Sequence, residues 1–181
     1  MKRIIASLLA GLCLLALVGC SAGSKADSAA PKDYSQIIHD ARTDEDNEYD
    51  MIFSPGEDGK FTAQYGYSDS YDAAQLDEEI RNMLLPLLNL EEDMYTDFAA
   101  SVSGMMVQSY GIAIVKPAEG KQQAVSEALD AYVQSQMQSM EHYLEDQYQI
   151  AASSHISTAP TGEVILVPEA VMNAIKTALA A

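Results

Sequence analysis

Hydrophobic residues recur at helical spacing in three segments of the chain. Residues 121–148 carry the longest stripe, and a helix over this range would be about 40 Å long. Residues 169–179 predict a final helix. An earlier helix begins near residue 73, and Pro86 is expected to end or kink it. The stripe of this earlier helix comprises Leu76, Ile80, Met83, Leu84 and Leu87.

Short apolar runs between these helices predict strands. Residues 98–103 and 110–115 are rich in residues that suit strands, and residues 154–158 and 163–167 flank a turn with the sequence Ala-Pro-Thr-Gly. The order of these elements predicts an α+β fold of two layers. We expect a small antiparallel sheet of about four strands packed against one long helix, with shorter helices flanking it.

Residues 33–72 have a weaker pattern. The segment Asp44–Glu48 is too highly charged to pack in a core. Two strand-like runs, residues 49–53 and 60–67, flank a turn at residues 55–59 that contains proline and glycine. This acidic segment therefore predicts either a hairpin or a mobile loop. The regular pattern from residue 73 to residue 181 predicts the α+β domain itself.

The amino terminus has the layout of an export signal. A positively charged start, Lys2 and Arg3, precedes an apolar run at residues 4–18. This run is shorter than the roughly 20 residues that a membrane-spanning helix needs. We therefore expect residues 1–19 to be a signal peptide that is removed.

The segment Leu17-Val18-Gly19-Cys20 resembles the lipobox of bacterial lipoproteins. This resemblance implies cleavage between Gly19 and Cys20, and an N-acylated, S-diacylglyceryl cysteine at Cys20. Two or more acyl chains hold a protein stably on a membrane, whereas one chain does not. Residues 20–32 then form a flexible tether with a reach of about 20 Å. The expected location is the outer face of the cell membrane.

The composition limits the chemistry of the cleaved chain. It would hold 8 basic and 27 acidic residues, which argues against nucleic-acid binding. Cys13 lies in the signal, and the lipid occupies the thiol of Cys20, so the folded body has no cysteine for a disulfide, a metal or a nucleophile. The covalent lipid is the only non-protein group expected, and no cofactor is implied.

Three stretches of the second half carry a family resemblance. Residues 110–116 lead into the long helix, and residues 148–151 and 161–167 follow it. Together they resemble an uncharacterised domain-of-unknown-function family of lipoproteins from Gram-positive bacteria, over about residues 76–167. The resemblance implies a small α+β fold and an envelope location. It implies no catalytic residues.

Acidic residues are the weak candidates for a metal site. Asp44, Asp46 and Glu48 alternate as at the start of an EF-hand loop, but Tyr49 and Pro55 occupy positions where that loop needs glycine and glutamate. A looser calcium site remains open, through the segment Asp44–Asp50 or through the acidic residues 91–93. The three histidines are widely separated, so they predict no zinc site. The weak metal candidates are Asp44, Asp46, Glu48 and Asp50.

Three functional hypotheses follow, and none identifies a catalytic residue. The leading one is a non-enzymatic binding module of the cell envelope that contacts an envelope protein, a wall component or a small ligand. Tyr65, Tyr67 and Tyr71 favour it, because tyrosine supplies rigid amphipathic contact area, although a buried tyrosine-lined sheet face would give the same pattern. The alternatives are a hydrolase of envelope polymers that uses a pair of carboxylates, and a calcium-dependent surface domain.

Overall fold

A six-stranded antiparallel sheet organises the residues that the computed structural model describes, which are 32–103 and 107–181. The strands follow one another across the sheet in the order β2-β1-β3-β4-β6-β5. Hairpins join β1 to β2, β3 to β4, and β5 to β6. The strands are β1 (Ile52–Pro55), β2 (Phe61–Gln64), β3 (Tyr95–Val102), β4 (Gly111–Pro117), β5 (Ser154–Thr158) and β6 (Val164–Pro168).

Helices pack on both sides of this sheet. None of those in the described residues is long and apolar enough to cross a membrane. A widened π turn at Ile80–Leu84 joins α3 to α4 just before Pro86, which has no N–H to donate. The α-helices are α1 (Tyr34–Ala41), α2 (Asp44–Tyr49), α3 (Ala73–Glu79), α4 (Leu85–Leu87), α5 (Gln122–Met140), α6 (Glu145–Ala152) and α7 (Glu169–Ala180).

The prediction of an α+β fold is confirmed, and the sheet is larger than expected. Six strands are present instead of about four, because the acidic segment contributes a hairpin: Phe53 of β1 pairs with Ala100 of β3. The strand predicted at residues 154–158 is confirmed at its stated bounds. The helix that contains Pro86 ends at Leu87, as the sequence predicts.

The molecule has three layers and not two. Strands β4 and β6 are apolar at successive positions, so side chains on both of their faces are buried. One core lies between the sheet and helices α3 to α5 and includes Ala113, Val115 and Leu166. The other lies beneath α1 and α7 and includes Ile114 and Ile165. A sheet with two apolar faces needs a helical layer on each, which a two-layer arrangement cannot supply.

The long helix is shorter than the stripe predicts. Helix α5 ends at Met140, the chain turns, and α6 begins at Glu145 and packs back against α5. Tyr143, which the stripe places on the buried side, is 70% exposed. The 19 residues of α5 span about 28 Å, and β3, the longest strand with eight residues, spans about 26 Å. A longer helix would extend past the end of the sheet, where it would find no apolar surface to cover.

The two ends of the strands carry different parts of the chain. At one end, which we call the tether end, lie the β5–β6 turn, the last turn of α7 and Lys32, the first described residue. At the other, the far end, β1, β4 and β5 begin and β3 ends. Helix α1 runs between them: Tyr34 contacts Glu163 at the tether end, and Arg42 contacts Ser101 at the far end. The seven residues of β4 separate the two ends by about 20 Å.

A buried carboxylate fastens the tether end. Glu163 is 4% exposed, and its oxygens accept hydrogen bonds from the hydroxyls of Tyr34, at 3.0 Å, and Thr161. The ammonium of Lys32 donates to the carbonyl of Leu179 close by. Burial acts to raise the pKa of Glu163, but the hydrogen bonds outweigh it and hold the pKa below its ordinary value. The carboxylate therefore joins α1 to the β5–β6 hairpin in its ionised form.

Replacing Glu163 with glutamine should destabilise the protein in a pH-dependent way. We expect Glu163→Gln to lower the free energy of unfolding by about 2 kcal/mol at pH 7, because the amide cannot accept both hydroxyl bonds as a charged group does. A lowered pKa stabilises the fold above pH 4.5, the ordinary value for glutamate, and this contribution is lost as the pH falls through the folded pKa. Urea unfolding at pH 7 and pH 3 measures both values. The exposed Glu119→Gln variant is the control, and an equal effect of Glu163→Gln at both pH values would contradict the assignment.

Candidate functional site

Tyr49 and Tyr67 lie together at the far end, Tyr71 follows Tyr67 by four residues, and we call these three exposed residues the tyrosine surface. Their side chains are 49%, 55% and 44% exposed. The ring centroids of Tyr49 and Tyr67 are 5.9 Å apart and the rings are tilted by 57°, a normal aromatic contact. Tyr67 and Tyr71 flank a single turn of 3-10 helix. Rings in this position offer rigid amphipathic area to a partner.

The three tyrosines proposed from the sequence, Tyr65, Tyr67 and Tyr71, do not share one environment. Tyr65 packs against α1, where its ring stacks on His39 with the ring centroids 4.2 Å apart and its hydroxyl donates to Gln36 at 3.0 Å. Tyr67 and Tyr71 remain exposed. Tyr49, on the preceding helix, takes the place of Tyr65 in the surface. No spacing pattern predicts this partner, because Tyr49 and Tyr67 belong to different elements.

A left-handed backbone turn sets the direction of Tyr67. Tyr65 and Gly66 have φ values of 63° and 51°, and the N–H of Gly66 donates to the carbonyl of Asn47 at 3.1 Å. A side chain at position 66 would lie 2.9 Å from the carbonyl carbon of Asp50. Glycine is therefore required both for the conformation and for the close approach. This contact fixes the end of β2 against α2, and with it Tyr67 against Tyr49.

Helix α2 has few packing contacts of its own, and Arg42 holds it in place. None of its six residues is buried. Arg42 is 8% exposed and donates to the side chain of Asn47 at 2.8 and 3.0 Å, to the Ser101 hydroxyl at 2.7 Å and to the Asp50 carbonyl at 3.0 Å. These neutral acceptors lie within and after α2 and on β3. The guanidinium therefore attaches the support of Tyr49 to the sheet.

The tyrosine surface lies in strongly acidic surroundings. Residues 44–50, on and directly after α2, include five carboxylates, and the basic residue beside them is Arg42. Hydrogen bonding to Glu48 and its negative charge raise the pKa of Tyr49, with smaller contributions from Tyr67 and Glu45. Burial raises the pKa of the Asp50 carboxyl, against the attraction of Arg42. A cation that approaches these rings therefore meets a negative field as well as aromatic faces.

The weak metal candidates fall on a helix and not on a loop. Asp44, Asp46 and Glu48 belong to α2, and Asp46 exchanges hydrogen bonds with Thr43 in a capping box. Asp50 follows the helix. Within residues 32–103 and 107–181, no three potential ligands of the histidine, cysteine and carboxylate types come together. The arrangement does not assemble a calcium loop in the described part of the chain.

Carboxylates approach each other at the tether end. Asp97 of β3 is partly buried, and burial raises the pKa of its carboxyl, with a further contribution from the charge of Asp33. Asp33 is the N-cap of α1 and accepts a hydrogen bond from the Gln36 N–H at 3.0 Å. Lys116 offsets part of the effect on Asp97. Asp33 is therefore engaged at the helix terminus, and Asp97 accepts a hydrogen bond from the backbone N–H of Phe98.

Two grooves mark the surface of the described residues, and both are open to solvent. One, of about 390 Å³, lies along α3 and the π turn and includes Glu78, Glu79 and Met83. The other, of about 410 Å³, lies between α5 and β5 and includes Asp130 and Ile156. Neither includes a tyrosine of the tyrosine surface.

The lipid-anchor prediction concerns another part of the chain. Residues 1–19, Cys20 and the tether as far as residue 31 lie outside the described residues. Lipidation of Cys20 and cleavage after Gly19 therefore stay predictions.

Comparison with known proteins identifies a family and no function. The model of a family described as a domain of unknown function, DUF4358, matches residues 68–167, more than half of the chain. No curated protein and no solved structure matches. The match confirms the resemblance for the domain, and it does not bear on lipidation or on the source organism. This chain therefore belongs to the DUF4358 family.

Proposed function

We propose that the protein is an extracytoplasmic binding module, held on the outer face of the cell membrane by lipid on Cys20, which contacts another envelope protein through its tyrosine surface. The observation that carries the proposal is the position of that surface. The chain enters the folded body at the tether end, and Tyr49 and Tyr67 lie at the far end, about 20 Å away. A tether at Lys32 would therefore attach to the body at the end opposite to the tyrosines, which leaves them accessible to a partner.

The chemistry of the tyrosine surface favours a cationic protein segment. Exposed aromatic rings bind lysine and arginine side chains through cation–π contacts. The carboxylates of residues 44–50 attract the same side chains and repel anionic polymers. A partner segment that carries lysine or arginine together with apolar residues fits both properties. Such contacts set the rate and the selectivity of association more than its affinity.

Substitution of Cys20 tests the anchor. We expect a metabolically incorporated alkyne fatty acid to label the wild-type protein and not Cys20→Ala, because the thiol is the proposed attachment point. The unprocessed variant should also keep its signal and run at a higher mass. Cys13→Ala is the matched control, since it removes the other thiol and should leave labelling unchanged. Membrane-bound Cys20→Ala protein of mature size would refute the anchor.

Photocrosslinking in living cells tests the tyrosine surface. A benzoylphenylalanine at position 67 should give a discrete adduct, whereas the same residue at position 143, where the tyrosine is 70% exposed, should not. The adduct should map to a lysine- or arginine-containing segment of one envelope protein. Its yield should fall several-fold with Tyr49→Ser, and also in spheroplasts when the salt is raised from 0.05 to 0.5 M, because salt screens exposed charges.

Two results would contradict this function. Equal adducts from positions 67 and 143 would show that contact is unselective. An adduct that persists unchanged with Tyr49→Ser and at high salt would remove both the aromatic and the electrostatic basis of the interaction. The fatty-acid experiment is independent of both, so the anchor and the binding surface can fail separately.

A further inference from the structure

The two outer strands of the sheet differ in how their free edges are treated. In β2, the outward N–H of Phe61 donates to the Asp77 carboxylate on α3 at 2.8 Å. This bond is the main cause that lowers the pKa of Asp77. Arg81 binds Asp77 at 3.2 Å and the carbonyl of Gly59 at 3.0 Å. Side chains of the neighbouring helical segment thus occupy hydrogen-bonding groups at this edge, a usual protection for an edge strand.

Strand β5, at the opposite edge, has outward backbone groups at Ile156 and Thr158. The N–H of Ala159 donates to the carbonyl of Glu163 at 2.8 Å, and hydrogen-bonded pairs alternate in an antiparallel ladder. His155 and Ser157 therefore bond to β6, and the N–H and C=O groups of Ile156 and Thr158 point away from it. Within the described residues, no other element makes a backbone hydrogen bond to these four groups.

The sequence of β5 also lacks the usual edge protection. Its five residues, Ser154–Thr158, include no proline and no lysine, arginine or carboxylate, and the strand has no bulge in its pairing with β6. Proteins normally shield an edge by one of these means. An edge strand that has none of them can accept an added strand, which is a common mode of peptide recognition.

A groove beside β5 would receive side chains of an added strand. Ile156 forms part of its lining, and Ser126, Glu127, Asp130 and Ala131 of α5 form the rest, around about 410 Å³. A residue paired with Ile156 would place its side chain about 5 Å away on the same face of the sheet. The stem of a lysine could cover Ile156 there while its ammonium reaches Glu127 or Asp130.

We propose that the β5 edge binds an extended basic segment of a partner protein by strand addition, with lysine or arginine side chains in the α5 groove. Charge argues for this occupant over a second copy. A second β5 brings no lysine or arginine, and pairing two copies would bring the carboxylates of Glu127 and Asp130 on each α5 towards one another. The site is independent of the tyrosine surface, since three strands, β3, β4 and β6, lie between β1 and β5 in the sheet.

Amide exchange with a synthetic peptide tests the proposal. The probe is an acetylated, amidated hexapeptide of alternating lysine and valine, and its matched control has glutamate in place of lysine. Residue-resolved NMR should show slower exchange at Ile156 and Thr158 with the lysine peptide only. The amides of His155 and Ser157 should not change, because β6 already binds them. Unchanged exchange at Ile156 and Thr158 with the lysine peptide, or equal protection of them by the glutamate peptide, would overturn the proposal.

Two variants separate the backbone and charge contributions. Thr158→Pro removes an outward N–H and keeps the ladder to β6, and it should abolish peptide binding. Glu127→Gln with Asp130→Asn should weaken binding about tenfold, as expected for two partly exposed ion pairs. If circular dichroism shows that Thr158→Pro is unfolded, the test rests on Glu127→Gln with Asp130→Asn. Unchanged peptide binding by this double variant would refute the proposal.

Two further measurements distinguish the β5 edge from the tyrosine surface and from self-association. In Tyr49→Ser with Tyr67→Ser, the lysine peptide should still slow exchange at Ile156 and Thr158 as it does in the wild type, so that failure at the β5 edge is distinct from failure of the proposed function at the tyrosine surface. Sedimentation of the protein alone should give a monomer mass at all concentrations. Self-association that protects the amides of Ile156 and Thr158 would assign the edge to a second copy and overturn the basic-peptide proposal.

Discussion

Burial of β4 and β6 on both faces is the constraint on which the rest of the structure depends. Ile114 and Ile165 face one core and Val115 and Leu166 face the other, and each of these four side chains is 0% exposed. Full burial of such a side chain is worth about 1.5–3 kcal/mol. Helices must therefore cover both sides of the sheet. The need explains why α1 and α7, which flank the rest of the chain, pack together on the same face.

Local patterns were enough to predict the elements that form from neighbouring residues. The β5–β6 hairpin follows from two strand-like runs around an Ala-Pro-Thr-Gly turn, and α5 follows from its stripe as far as Met140. Whether residues 33–72 form a hairpin or a loop was undecided, because β1 and β2 have only four residues each. These two strands form because β1 pairs with β3 and because Asp77 accepts a hydrogen bond from β2. Both partners lie outside residues 33–72, so the sequence of this segment does not indicate them.

Contacts between distant residues were beyond prediction from sequence. Arg42 reaches Ser101 across 59 positions, and Tyr34 reaches Glu163 across 129. The sequence around a single arginine or glutamate does not indicate which distant residue its side chain will contact. The tyrosine surface shows the same limit: Tyr67 and Tyr71 could be proposed from spacing, but Tyr49 joins them only because Gly66 allows β2 to end against α2. A surface formed by residues of two separate elements can therefore be identified only from the structure.

The contrast between the two sheet edges limits how large an assembly can become. A protein crowded on a membrane meets its neighbours often, and a sheet with two open edges could continue from molecule to molecule as a filament. Asp77 accepts the outward N–H of Phe61 at the β2 edge, so strand pairing is disfavoured there and growth should start at β5. One added strand, whether from a partner or from a second copy, uses that edge completely. The hydrogen bond from Phe61 to Asp77 therefore works against extension of such a complex through β2.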